Sequence, residues 1–475
     1  MMEVEPSSVA GEREFRFTYP YLWSAAYHGI DPDLRRATHR LVAQYLELRP
    51  EGRGALAQEG IGRHMELAGD GVGAAGRYRR AADFMRANFF NERAIALYRR
   101  SLTCIGEADL ATRIHLWHDL GSVYELKGDY EAALSGFEVM VRLAWVCASR
   151  AKAAVAFNKM GRVWRRKGQL KLALEYLERG LELFEQADDQ RGVISSLDDI
   201  GSVLHLLGRT DEAFEKVSQA LRQRGRGGER RSLALSLSNL GDIQRDRGDL
   251  GESLRCHEQA LELRLAIADR VGVITSRSSL AALAFERGDR IKARRGWEQA
   301  LGEAEAIGAL PLQALALCSL GELALDEGRS EEARRRLEES LDIAREIDDR
   351  RLEGEATRNL ALLEHAGGDP LRARFLAERA YQVAAAAGLR DNEGRALLTL
   401  GQVTAEGGYL ARGIDLLREI GNESELARGL ERYGRHKIDV GETGAGRDLL
   451  REALAIYGRL GIRGQREVER VLSGD

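Results

Sequence analysis

Two glycine-rich stretches are the first candidates for chemistry in this chain, because backbone N–H groups in such loops can hold phosphate. Residues 71–76, GVGAAG, have the G-x-G-x-x-G spacing of a dinucleotide loop. That loop works between a strand and a helix, where helical N–H groups meet the pyrophosphate. Here it follows GRHMELAGD, which itself reads as helix, so a plain helix turn is expected. Residues 441–448, GETGAGRD, approach a phosphate-binding Walker loop but fail at its decisive positions. Arg447 replaces the lysine, and Asp448 replaces the magnesium-binding hydroxyl with a group that repels phosphate. His115 and His118 are three residues apart and could share a metal. A structural zinc wants four ligands in tetrahedral geometry, however, and no cysteine partner is indicated. The chain has no H-E-x-x-H arrangement and no G-x-S-x-G elbow. The basic run RQRGRGGERR at 222–231 could touch phosphate or an acidic partner, but it falls between helical segments, where a solvated loop is expected. The sequence therefore predicts no enzyme, no cofactor and no metal.

Composition narrows the class further. The net charge of -4 is small for 475 residues, with acids and bases interleaved. A direct nucleic-acid binder would instead concentrate basic charge on one face. No apolar run is long enough to span a bilayer and no N-terminal segment reads as a signal peptide, so no membrane partner and a cytoplasmic location are expected. Cys104, Cys147, Cys256 and Cys318 are scattered without metal-like spacing and read as reduced, partly buried core residues. After residue 50 only Pro311 and Pro370 occur, which suits long continuous helices. Arginine greatly outnumbers lysine, which points to a GC-rich bacterial genome.

The elements behind these residues repeat. Leu120, Met160, Ile200, Leu240, Leu280, Leu320, Leu360 and Leu400 are spaced forty residues apart, each followed by Gly or Ala. Seven residues beyond each small residue comes a second glycine, from Gly128 and Gly168 through to Gly408. Another small residue, such as Ala133, Ala173 or Ala213, comes five later. Such self-similarity means stacked units and overrides the count of about three domains that length alone suggests. Each unit reads as two antiparallel helices. Leu170, Leu174, Leu177, Leu181 and Phe184 make one apolar stripe on a second helix. Gly168 falls between the helices, where a left-handed residue can end the first. Gly161 falls inside the first helix and costs roughly 1 kcal/mol against alanine there. Close packing against a helix carrying Ala173 is the expected compensation.

Hydrophobic–Gly in the first helix, Gly-Asp at the turn and Ala early in the second helix resemble the tetratricopeptide repeat. The best copies are LWHDLGSVYELKGDYEAALSGFEVM (116–140) and LSNLGDIQRDRGDLGESLRCHEQAL (237–261). The usual unit has about 34 residues; the extra length here resembles long-repeat members among bacterial regulators and spindle-orientation scaffolds. The resemblance covers roughly residues 61–461 and implies an all-α fold, an α-solenoid forming a right-handed superhelix of about ten helix pairs. The expected organisation is an N-terminal segment at 1–60, degenerate repeats at 61–110, a regular array at 111–408, and a contracted repeat with a capping helix at 409–475. Phe15, Phe17, Pro20, Ala26, Tyr27, Arg36, His39, Ala43 and His64 resemble the junction that follows the nucleotide-binding and winged-helix modules of bacterial STAND-type regulators.

First helices of such repeats line a concave groove. By that register the candidate binding residues are Asp119, Asn158, Arg162, Arg165, Asp198, Asp199, His205, Asn239, Asp242, Arg245, Glu322, Arg358 and Asn359. In related scaffolds an asparagine at the position of Asn239 and Asn359 holds an extended peptide backbone, so both are expected to be solvent-accessible. The competing reading is that Arg162, Arg165, Asp198 and Asp199 simply pair across neighbouring helices. The function implied is a non-catalytic scaffold or sensor arm of a bacterial signalling protein, with a protein or peptide partner. Two alternatives are the C-terminal portion of a STAND-type ATPase or serine/threonine kinase, and a scaffold that forms homo-oligomers.

Overall fold

The structure, a computed structural model, describes residues 2–4, 14–49, 54–107, 109–224 and 229–473; residues 225–228 of the basic run lie outside them. The chain divides into two compact units, Met1–Leu120 and Gly121–Asp475. The first unit opens on strands β1 (Met2–Val4) and β2 (Glu14–Arg16), an antiparallel pair and the one sheet among the described residues. Everything after it is helical. Helices α1 (Pro20–His28), α2 (Pro32–Leu48), α3 (Ala55–Leu67), α4 (Gly71–Ala87) and α5 (Asn91–Cys104) follow, and α6 (Leu110–Lys127) contains the boundary between units. GVGAAG forms the start of α4, where Asp70 Oδ1 accepts from Gly73 N at 2.8 Å, and the element before it is a helix. Ala82 on α4 and Ala94 on α5 are both fully buried.

The second unit continues with α7 (Tyr130–Val146), α8 (Arg150–Arg166), α9 (Leu170–Gln186), α10 (Gln190–Leu206), α11 (Thr210–Arg224) and α12 (Arg230–Asp246). Next come α13 (Leu250–Ala266), α14 (Arg270–Glu286), α15 (Arg290–Ala306), α16 (Leu310–Asp326), α17 (Ser330–Glu346) and α18 (Arg350–Ala366). It ends with α19 (Pro370–Ala387), α20 (Arg390–Thr404), α21 (Gly407–Ile420), α22 (Glu423–Asp439), α23 (Thr443–Leu460) and α24 (Gln465–Ser473). Consecutive pairs from α4–α5 to α22–α23 number ten, and the array is an all-α solenoid. The cap α24 buries Val468 completely. No helix among the described residues is long and apolar enough to cross a membrane.

The Gly-Asp turn works through both of its residues. Gly248 takes the left-handed conformation (φ 83°) that ends α12, and Asp249 Oδ1 accepts from Glu252 N at 2.9 Å to start α13. Gly161 inside α8 is explained by approach: a Cβ there would meet Leu177 Cγ at 2.6 Å and Ala173 O at 3.1 Å. In the α9 stripe Leu170, Leu177 and Phe184 are buried and Leu174 and Leu181 half-buried. The last regular turn departs from the pattern. Helix α20 stops at Thr404, Ala405 takes the left-handed conformation (φ 55°), and Gly408 lies inside α21 instead of between helices. Of the cysteines, Cys256 and Cys318 are buried and Cys104 half-buried, whereas Cys147 is exposed; all four are free.

The second unit also winds back onto itself. Gly128, Gly168, Gly208 and Gly248 each abut a turn about five repeats later, beside Ile347, Ala387, Ile420 and Leu460 respectively. Leu250 and Leu283 share an apolar cluster with Leu417, Ile420 and Leu460. Polar contacts follow the same line. Lys167 Nζ lies 3.0 Å from Asp348, and Thr210 Oγ1 donates to Ile420 O at 2.7 Å. Arg463 N donates to Glu286 O at 2.9 Å, while its guanidinium reaches Asp326 and lies 3.7 Å from the Phe285 ring centre. Successive turns of the solenoid therefore touch along a seam.

Candidate functional site

The even-numbered helices α8 to α22 pack side by side and form the inner wall of the second unit. Their apolar face is covered by the odd-numbered helices, so their polar face turns inward. Lateral neighbours on this wall are one repeat apart, which sets a ladder of contacts at offsets of 37 to 41 residues. Asn158 Nδ2 donates to Ser196 Oγ at 2.8 Å, Arg162 Nε to Asp199 Oδ2 at 2.8 Å, and Arg165 Nη1 to Ser202 Oγ at 2.8 Å. Ser236 Oγ donates to Asp198 Oδ2 at 2.7 Å, and His205 Nε2 lies 2.7 Å from Asp246 Oδ2. Pairing across neighbouring helices is thus the observed state of Arg162 and Asp199, and Asp198 pairs with Arg224.

Twelve of the thirteen sequence-predicted groove residues fall in this unit; Asp119 lies in the first unit, 3.1 Å from His118 Nδ1. Arg162, Arg165, His205, Asp242, Arg245 and Glu322 are half-buried, whereas Asn158, Asp198, Asp199 and Arg358 are buried. The accessibility expected of the asparagine pair needs correction. Asn359 is 1% exposed, and its amide faces Cys318 Sγ at 3.8 Å. Asn239 is half-buried and donates to Asp198 O at 3.2 Å. Adjacent inner helices stand close enough that an amide at this position reaches the neighbouring helix.

Sequence reasoning missed most of a second group, on α16, α18, α20 and α22, naming only Glu322 of it. Arg395 sits among four carboxylates: Glu425 at 3.6 Å, Glu322 and Glu355 at 3.7 Å, and Asp391 at 4.0 Å. Glu355 also accepts from Arg351 at 3.3 Å, and Glu425 pairs with Arg428 at 2.5 Å. Burial pushes the Asp391 carboxyl up to about 6, against the pull of Arg395, and the charges of Asp246, Glu425 and Glu355 add to the rise. Asp246 is on α12, so its charge reaches Asp391 from outside the α16–α22 group. Glu355, Arg395 and Arg428 share one register position, six residues before the small residues Ala361, Gly401 and Gly434. Extending the inward register by one helical turn would have found them. Among the described residues, no group of three or more His, Cys, Asp or Glu side chains is arranged to hold a metal ion.

In the first unit, three residues of the junction-like pattern come together. Tyr27 Oη lies 2.8 Å from His39 Nε2, and His39 Nδ1 lies 2.9 Å from His64 Nδ1.

Comparison with known proteins gives the following. Models described as tetratricopeptide repeat match residues 114–138, 152–226, 232–302 and 312–386. No curated protein matches the chain. Among solved structures, the chain is similar to the Rap conjugation gene regulator of plasmid pLS20 in complex with a Phr peptide. Identity is 15%, coverage 75% of this chain and 95% of that one, and the TM-score 0.51. The apo form of the quorum sensor NprR from B. thuringiensis matches at 15% identity, covering 74% and 99% of the two chains with a TM-score of 0.46. A STAND protein with a tetratricopeptide repeat sensor from Pyrococcus horikoshii matches at 16% identity, covering 73% and 52% with a TM-score of 0.40. At these identities the likeness is one of fold.

Proposed function

This chain belongs to the tetratricopeptide repeat family, and we propose that its second unit binds a peptide or protein segment on the inner wall, as a sensor or docking arm of a bacterial signalling protein. The observation that carries this reading is the concentration of charge on that wall. Asp242, Arg245, Asp246, Glu286, Glu322, Arg395 and Glu425 converge there from five helices. A folding core has no use for so many ionic groups, because desolvating them costs more than apolar packing would. A polar ligand that uses them offsets that cost. The test is a screen of the full chain against soluble peptides of varied sequence, with hits measured by calorimetry on wild type, Arg245→Ala and Asp242→Asn. Hits weakened by both substitutions support the reading; hits indifferent to both would move the site off the inner wall.

A second reading has its own observation. Helix α1 buries none of its residues, and Tyr21, Leu22 and Trp23 are exposed. Such an apolar face fits the junction to a further module, as in a STAND-type regulator or a kinase. The sequence of the encoding locus upstream of Met1 decides it. Light scattering at several concentrations tests the third possibility, self-association.

A further inference from the structure

We propose that the face of α2 carrying Leu34, Leu41 and Leu48 is the contact by which two copies of this chain pair as a dimer. The inference deepens the self-association reading above by naming its surface, and it does not depend on the inner wall.

The two ends of the helical array are finished differently. At the C-terminal end α24 lies on α23 and buries Val468, while Gln465, Arg466, Glu469 and Arg470 are exposed. That is the polar cap an open solenoid end needs. In the first unit α2 packs against α3, where His39 meets His64 and Ala43 on the same side is buried. Its opposite side is apolar and open: Leu34 is 61% exposed, Leu41 65% and Leu48 87%. Helix α1 reaches α2 through Tyr27, which lies 2.8 Å from His39 and under the Arg35 guanidinium, to one side of the leucines.

The spacing says what fits there. Leu34, Leu41 and Leu48 recur every seven residues, and Thr38 and Tyr45, also exposed, fall between them at the four-residue step. A seam that repeats every 3.5 residues keeps facing its partner along its length when the partner is a helix of the same repeat. Leucine at every seventh position, with the β-branched Thr38 between, suits two strands.

Charge selects a second copy as that partner. In a self-pair the residues bordering the seam meet their own kind, so a charged border would repel. The border here is Ala37 and Gln44 on one side and Val42 on the other, and Arg49 at the helix end lies over the Tyr45 ring. The array's outer helices are written otherwise: α17 exposes Glu331, Arg335, Glu338 and Glu339.

Size agrees. Covered on both copies, the stripe removes roughly 1,000 Å² from water, about the least a specific interface needs. Two isolated helices this short would not hold together. Here α2 is already folded against α3, so pairing does not have to order it. Because the other end is capped by α24, the leucine face meets its own copy and the assembly closes at two chains.

The test measures the mass of the full chain by light scattering and sedimentation over a range of concentrations, beside Leu41→Glu and Leu371→Glu. Wild type is expected to run as two chains of 52.6 kDa. Leu41→Glu sets an acid against its own copy and is expected to weaken the dimer by roughly a hundredfold or more, with helicity unchanged. Leu371→Glu alters another exposed leucine, on α19, and is expected to leave the dimer intact. Should Leu41→Glu fail to fold, Leu41→Cys is used with Cys147→Ser, which removes the exposed native thiol. Mild oxidation is then expected to link two chains at the centre of the seam, whereas Leu371→Cys in the same background stays single. A monomer at every concentration overturns this proposal and self-association together. A dimer that survives Leu41→Glu, or a Leu41→Cys chain that does not cross-link, overturns this surface alone and leaves self-association standing. Peptide binding on the inner wall is read separately and is expected to be the same in Leu41→Glu as in wild type.

Discussion

Gly208 and Gly328 hold the same position in the repeat and the same left-handed conformation, with φ of 74° and 72°. Their surroundings have nothing in common. A Cβ on Gly208 would lie 2.4 Å from Ile420 Cγ2 and 3.3 Å from Arg390 Cβ, whereas one on Gly328 would meet nothing within 4 Å. The same split runs through the array: Gly128, Gly168 and Gly248 lie under a later turn, and Gly368 and Gly441 do not. One sequence signal thus does two jobs. In the units from Gly128 to Gly368 it lets the chain reverse. In the first half of the coil it also lets a second turn of the solenoid lie directly against it.

That difference can be broken by substitution. The largest effect is expected at Gly208→Val, which combines left-handed strain with overpacking against Ile420, for about 3–5 kcal/mol of destabilisation in urea unfolding. Gly328→Val carries the strain alone and should cost about 1–2 kcal/mol. Equal costs at the two sites would mean that the seam does not form. Ile420→Ala removes the buried group above Gly208 and is expected to cost about 2–4 kcal/mol, while Leu371→Ala, on an 82% exposed side chain, stays within about 0.5 kcal/mol.

Smaller effects sharpen the same contrast. Thr210→Val loses the bond to Ile420 O and should cost about 1 kcal/mol; Ser330, its exposed counterpart two residues after Gly328, should tolerate alanine. The smallest expected effect is a pH signature at His205. Burial works against its protonated form, but the charge and hydrogen bond of Asp246, with Asp242 beyond, outweigh this and raise its pKa above the ordinary value. A histidine with a raised folded pKa contributes stability below its unfolded value near 6.5, and loses it as pH climbs through the folded value. Wild type should therefore lose stability as pH climbs above about 6.5, by a margin that His205→Gln abolishes.

Much of this was legible in the sequence. The forty-residue spacing placed Gly161 against the helix carrying Ala173, and placed Gly168 and Gly248 at the ends of first helices; that Leu177 closes on Gly161 came from the structure. It failed at Gly408, where α20 ends early and Ala405 takes the turn, because a glycine can also begin a helix and nothing local says which. The inward register brought Arg162, Asp199, Asp242 and Arg245 to one wall. It did not foresee that Asn359 would be shut between helices, since how closely two inner helices approach depends on side chains a whole repeat apart. It also passed over Arg395 and Glu425, which look like any exposed helical charges until their neighbours on the wall are known.

What the sequence determined by itself is the hairpin: glycine and aspartate at the turn, small residues where the helices touch, and an apolar stripe to hold them together. These are contacts within one unit or between adjacent units, and local pattern is enough to specify them. What only the tertiary structure decided is that Gly208 meets Ile420 and that Arg395 lies among Glu322, Glu355 and Glu425. Such meetings depend on the small rotation between neighbouring repeats, summed over several of them. No single residue carries that sum, so no motif announces it.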